Sequence, residues 1–191
     1  MLKIYANNLI IKMSKFFYSD MVLQYKMINK NDRMRCFIAS PVTLSQELYN
    51  GIQLPGKKVD LNLLHITYYF LGNIDKKYAK MVCDIIKNID EGAVKIHIKG
   101  LSGFPKKEGA NIGYLDITGN GLDKIYYDII NSLGVKNNNF KPHITIYRFK
   151  RKLELPEIKI NCEIKIDRVC LYNSIFNGKR IYEEMCCAML K

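Results

Sequence analysis

Leu64-His65-Ile66-Thr67 decides the reading of this chain, because its core returns much later as Pro142-His143-Ile144-Thr145. The chain has three histidines and four threonines (Thr43, Thr67, Thr118 and Thr145), and two of the three histidines have a threonine two residues on. Chance placement seldom does this once. Both copies lie in apolar runs, LLHITYYF and HITIYRF, which read as strands. In a strand, residues i and i+2 share a face, so each copy presents an imidazole and a hydroxyl side by side. The same parity puts Tyr69 and Tyr147, four residues past their histidines, on the motif face. It turns Arg148, five residues past His143, away from that face unless the strand ends or bulges before it.

Working outward, the segment Arg35 to Ala39 is a short apolar strand. Ser40 as N-cap and Pro41 at the first helical position predict a helix carrying Leu44, Leu48 and Ile52. Past the first motif strand (61–71), Asn73 or Asp75 caps a helix whose Tyr78, Val82, Ile85, Ile86 and Ile89 form one stripe. Val94 to Lys99 alternates as a half-buried strand, 100–109 reads as a loop, and Ile112 to Thr118 as a strand. Asn120 to Leu133 is a helix closed by Gly134. The second motif strand spans 143–149, and strands at 163–172 and 179–189 turn at Asn177-Gly178. About three helices and seven strands, many directly successive, predict an α+β fold with antiparallel sheets flanked by helices. The repeat adds duplicated lobes around a central cleft with pseudo-two-fold symmetry.

At 191 residues the chain suits one domain of ordinary size. We divide it into residues 34–191, which hold both motifs, and 1–33, an extension expected to be disordered or to mark a misassigned start. The net charge is +12, of which the extension contributes only +4. That excess points to an anionic partner, with nucleic acid the leading class. The cluster Arg148-Lys150-Arg151-Lys152 reads either as a contact for RNA phosphates or as a solvated charge run. Six cysteines without a CxxC pair or a neighbouring histidine argue against structural zinc, and they read as reduced thiols of a cytoplasmic protein. No stretch is long and apolar enough for a membrane span. His97 has no threonine partner and alternates as a surface position.

Two imidazoles facing one cleft suit phosphoryl chemistry without a metal or other cofactor. Unperturbed histidine titrates at about 6.5, so one ring can accept a proton from water while the other donates to the departing oxygen. The threonine hydroxyls can hold the non-bridging phosphate oxygens between them.

Leu64-His65-Ile66-Thr67 with Phe70-Leu71-Gly72, and Pro142-His143-Ile144-Thr145 with Arg148, resemble the paired motifs of the 2H phosphoesterases. The nearest branch is the LigT-like RNA 2′,3′-cyclic phosphodiesterases, also called 2′-5′ RNA ligases. Met34 to Ala39, Phe104-Pro105 and the closing hairpin from Val169 to Tyr182 extend the likeness. The resemblance implies hydrolysis of RNA 2′,3′-cyclic phosphate ends, or of cyclic nucleotides, to a 2′-phosphate, with reversal as 2′-5′ ligation. It implies His65 as proton donor, His143 as proton acceptor, Thr67 and Thr145 as phosphate clamps, and Arg148 as a phosphate-binding residue. Tyr69 and Tyr147 are candidates for stacking a base. A monomer is expected. The competing expectations are a non-catalytic RNA- or nucleotide-binding module and an RNA 3′-end trimming phosphodiesterase. The chain departs from the pattern in having no helix between Lys150 and Lys159, and Lys179-Arg180 where relatives often have Gly-Pro.

Overall fold

The computed structural model describes residues 33–137 and 139–191. Apart from Arg33, the extension expected over 1–33 lies outside them. In chain order the described elements are β1 (Met34–Pro41), α1 (Gln46–Gly51), β2 (Lys57–Lys58), β3 (His65–Ile74), α2 (Lys76–Lys87), β4 (Val94–Phe104), β5 (Ala110–Thr118), α3 (Leu122–Leu133), β6 (His143–Leu153), β7 (Lys159–Ile166), β8 (Arg168–Asn177) and β9 (Lys179–Met189). The strands form one sheet ordered β7-β4-β5-β6-β3-β1-β8-β9, with β2 attached to β6. Every pairing is antiparallel. The α+β class with antiparallel sheets therefore stands.

That order divides into two halves of four strands. One half is β3, β1, β8 and β9; the other is β6, β5, β4 and β7. Each half contains the same unit: a strand, a helix, then an antiparallel return carrying a histidine and a threonine (β1-α1-β3 and β5-α3-β6). The halves meet at the centre of the sheet through one bridge, Ile66↔Ile144. Both isoleucines are fully buried, so the pseudo-two-fold passes through the core.

One face of the sheet carries the helices. Asp75 caps α2 by accepting from the Tyr78 backbone N–H at 2.7 Å, and the helix buries Ala79, Val82 and Ile86. In α3 the buried positions Leu122, Ile125, Tyr126, Ile129, Ile130 and Leu133 recur at three and four residues, the spacing that makes one apolar stripe. Gly134 ends it in the left-handed region, where its N–H still reaches carbonyls of the last turn. These stripes join Ile38, Ile66, Ile144 and Ile146 in the principal core. Fully burying such a side chain stabilises the fold by about 1.5–3 kcal/mol.

Three sequence expectations are corrected. Ser40 does not cap a helix: β1 runs on to Pro41, Ser40 is fully buried, and its hydroxyl donates to the Arg168 carbonyl at 2.7 Å. The short helix instead starts after Ser45, whose hydroxyl accepts from the Leu48 N–H. The segment 100–109 is strand as far as Phe104. Finally, the single strand expected over 163–172 is broken at Asp167, so β7 edges one half while β8 enters the other.

The cysteines differ too. Cys83 in α2 pairs with Cys186, and Cys170 in β8 with Cys187 in β9, leaving only Cys36 and Cys162 free among the described residues. Successive residues of a strand point to opposite faces, so Cys186 reaches the helix layer while Cys187 meets its cross-strand partner. The pairs bridge distant segments, which chain spacing could not suggest. They also remove the reduced-thiol argument for a cytoplasmic location. No described helix is long and apolar enough to cross a membrane.

Candidate active site

Opposite the helices, the sheet face carries the two histidine–threonine pairs. A register centred on Ile66↔Ile144 sets His65 towards Thr145 and Thr67 towards His143 about the local two-fold. The four side chains are all half-buried, and no other described group takes up either threonine hydroxyl.

Each imidazole is held the same way. His65 Nδ1 lies 2.7 Å from the Leu63 carbonyl, and His143 Nδ1 lies 2.8 Å from the Lys141 carbonyl. A carbonyl only accepts, so Nδ1 carries the proton and Nε2 is left as the ring's free position. Aromatic rings fix the tilt. His65 packs on Phe37 at 5.1 Å and against the edge of Tyr182 at 5.2 Å. His143 sits edge-on to Phe104 at 5.0 Å and Tyr114 at 5.3 Å.

Burial lowers the pKa of both histidines from the ordinary value, because the charged ring loses hydration. For His65, His143 and Arg148 push further in the same direction, against the Leu63 carbonyl. For His143, Lys141 and Arg148 do so, against the Lys141 carbonyl. Both rings are therefore held in the neutral form near pH 7.

Arg148 reaches this face because β6 bulges. Thr145 pairs with Tyr114, but Tyr147 pairs with Gly113 and Arg148 with Ile112, a one-residue slip at Ile146. The burial pattern shows the same break: Ile146 and Tyr147 are both buried, and Arg148 is exposed. An extra residue on one strand shifts the alternation by one, which satisfies the parity condition set by the sequence. A matching slip occurs in β3. Thr67 pairs with Ala39, while Tyr69 pairs with Ile38 and Phe70 with Phe37. Phe70 thus occupies in the first half the place of Arg148 in the second, 68% exposed and 5.8 Å from Phe37.

The bulges overturn the expectation for Tyr69 and Tyr147. Both turn to the helix side. Tyr147 is 2% exposed and donates its hydroxyl to the Ile52 carbonyl at 3.0 Å. It also accepts from the Leu54 N–H and lies parallel to Phe149 at 5.9 Å. Tyr69 is half-buried, packed against the same core. Neither faces the histidines. His97, opposite Thr118 on β5, belongs to the outer strands of its half and stays apart from the pair.

Sequence reasoning missed several groups that line the site. Phe37, Tyr182, Tyr114 and Phe104 form its walls, and Lys141 donates to the Tyr114 hydroxyl at 2.6 Å while lying over the Phe104 ring. Phe37, Phe104 and Tyr182 lie within stretches that the resemblance marked without giving them a role, Lys141 adjoins the second motif, and Tyr114 carried no signal. Neither histidine belongs to a grouping compact enough to hold a metal among the described residues. The one such grouping is Cys170, Glu184 and Cys187, and its sulfurs are bonded to each other.

Known proteins agree with this architecture. The family model described as LigT like Phosphoesterase matches residues 42–114. An RNA 2′,3′-cyclic phosphodiesterase of Methanocaldococcus jannaschii is 29% identical over 127 residues, which is 61% of this chain and 72% of that protein. One from Aeropyrum pernix is 26% identical over 112 residues, 55% of this chain and 64% of its own length. Among solved structures, apo E. coli LigT superposes with a TM-score of 0.70 at 20% identity, over 84% of this chain and 99% of that one. TT0787 of Thermus thermophilus gives 0.66 at 19%, over 82% and 98%. Residues 42–114 thus resemble the LigT-like phosphoesterases in sequence, and the chain shares the fold of LigT.

Proposed function

We propose that this protein hydrolyses RNA 2′,3′-cyclic phosphate ends to 2′-phosphates, with His143 as general base and His65 as general acid. The observation that carries the reading is the matched pair of Nδ1–carbonyl bonds, which leaves both Nε2 atoms free on one face of the central join. The curated relatives named RNA 2′,3′-cyclic phosphodiesterase support the substrate class.

In the proposed step, His143 Nε2 takes a proton from water as the water oxygen attacks phosphorus. The P–O3′ bond breaks, and the departing 3′ oxygen receives the proton carried by His65 Nε2. The P–O2′ bond survives. The cyclic phosphate is an anion, so its arrival between the rings raises the pKa of the acid that burial had lowered. Thr67 and Thr145 donate to the non-bridging oxygens, and Arg148 offsets their charge. No Lewis acid is needed for either proton transfer. One chain supplies both motifs, so the reaction runs in a monomer. With a 5′-hydroxyl end in place of water, the same two groups run the 2′-5′ joining reaction.

The test is incubation of cyclic-ended RNA with the protein, with and without chelator, and identification of the terminal phosphate. Accumulation of 2′-phosphate ends in both conditions is expected. A 3′-phosphate product, or loss of turnover with chelator, would overturn the assignment.

A further inference from the structure

Past the bulge, β6 changes character. Arg148, Lys150, Arg151 and Lys152 follow one another, all exposed, and none makes an ion pair among the described residues. Tyr147 and Phe149 stack on the helix side, so alternation puts Arg148 and Lys150 together on the catalytic side. The pairing with β5 slips again between Arg148 and Leu153, and past that slip the Lys152 side chain lies beside Gly109 at the turn Lys107–Gly109. Lys106 and Lys107 add charge at that end. As alternate residues of a strand, Arg148 and Lys150 stand about 6.6 Å apart. That is close to the spacing of successive phosphates along an extended single strand.

The first half has no such row. Phe70 takes the place of Arg148, and a second slip follows it, so that Gly72 pairs with Cys36 and Asn73 with Arg35. β3 carries no cation, and Arg180 on β9 is engaged by the Ser174 hydroxyl at 2.8 Å and the Phe176 ring, so the run of cations leaving the histidines is the one along β6.

We propose that Lys150 and Lys152, with Arg148 at the head of the row, form a track for the phosphates 5′ of the cyclic end. The substrate class is then an RNA strand of at least three nucleotides, and not a free cyclic mononucleotide. This rests on the hydrolytic reading above, but its test has an arm that does not. A solvated charge run would give neither a length preference nor a dependence on these particular lysines.

The test compares kcat/KM for a 2′,3′-cyclic mononucleotide and a cyclic-ended octanucleotide, at several salt concentrations, in the full chain. The wild type should favour the octanucleotide about ten-fold or more at low salt, with the preference fading as salt rises. The double variant Lys150→Gln/Lys152→Gln should lower the octanucleotide value about ten-fold more than the mononucleotide value. A charge-matched control, Lys95→Gln/Lys165→Gln on the remote β4–β7 edge, should not. Equal use of the two substrates, equal loss on both, or an equal effect of the control would overturn the track. Binding of a fluorescent octanucleotide with a 3′-phosphate, followed by anisotropy, needs no turnover. Its log–log salt slope should be shallower by about 1.4 in the Lys150/Lys152 variant. If the wild type turns over neither substrate, the hydrolytic reading falls, and this arm alone decides the track: an unchanged slope, or no binding, ends it.

Discussion

The two halves of the site share their geometry and differ in their charge. Each has a histidine tied through Nδ1 to the carbonyl two residues before it, a threonine two residues after it, and a one-residue slip at the third. Yet Leu63 supplies the carbonyl in one half and Lys141 in the other. Phe70 faces the cleft where its counterpart is Arg148. Both rings pack on aromatic side chains and feel Arg148, but only His143 also has Lys141 beside it. On the proposed mechanism, the repeat fixes where the reacting groups stand and the substitutions around it divide their labour. Lys141 beside His143 favours its neutral form, which the proposed base requires. His65, as the proposed acid, gains its proton when an anion arrives.

The strongest way to break this comparison is to remove the histidines one at a time. His65→Ala and His143→Ala should each lower kcat on the order of 10²–10⁴-fold. The double variant should cost far less than the product of the two, because acid and base act in one step. Single-turnover kinetics on cyclic-ended RNA would measure this, and a ring whose loss leaves turnover intact would end the division of labour.

Next in size are the residues exchanged across the two-fold. Arg148→Ala should reduce kcat/KM on the order of 10²-fold, as expected for loss of a group that meets developing phosphate charge. Phe70→Ala should cost much less. Equal losses would show that the substitution carries no functional difference.

The pH profile sharpens the contrast. The base must be neutral, so activity rises as pH passes its pKa; the lowered value for His143 puts that acid limb of kcat/KM below the ordinary histidine range. Lys141→Met removes a cation, lets the His143 pKa rise, and should move the limb upward. The acid must be protonated, and burial lowers His65 as well. The alkaline limb should therefore lie higher in kcat, measured with the anion bound, than in kcat/KM. An acid limb unmoved in Lys141→Met would remove Lys141 from the account.

The smallest effect falls on Tyr147. Tyr147→Phe loses the hydroxyl bonds to Ile52 and Leu54 and should cost about 1 kcal/mol in urea unfolding, with kcat/KM kept. A selective rise in KM would instead return this ring to the substrate.

These expectations separate what the chain declares from what it hides. The histidine–threonine pairs, the stripes of α2 and α3 and the duplicated order all depend on periodicity, which a sequence displays. Parity even stated the condition for Arg148. The slips at Tyr68 and Ile146 are different. Neither position carries a glycine or proline to mark it, and each is created by the partner strand's register. Tyr147 was misplaced for that reason alone. Ser40-Pro41 has the form of a helix start, but burial beneath Arg168 holds it in β1. The break at Asp167 and the cysteine pairs are likewise products of tertiary arrangement.

The single bridge between Ile66 and Ile144 also has a mechanical meaning. A pivot moves distant points far and near points little. His65 and His143 each lie one residue from it, Phe70 and Arg148 four, and the far strand ends, the rims, further still. Opening the halves to admit a bulkier nucleotide would spread the rims while scarcely changing the gap between acid and base. Substrate tolerance and catalytic alignment can thus coexist on the proposed mechanism, because it puts the reaction at the fulcrum.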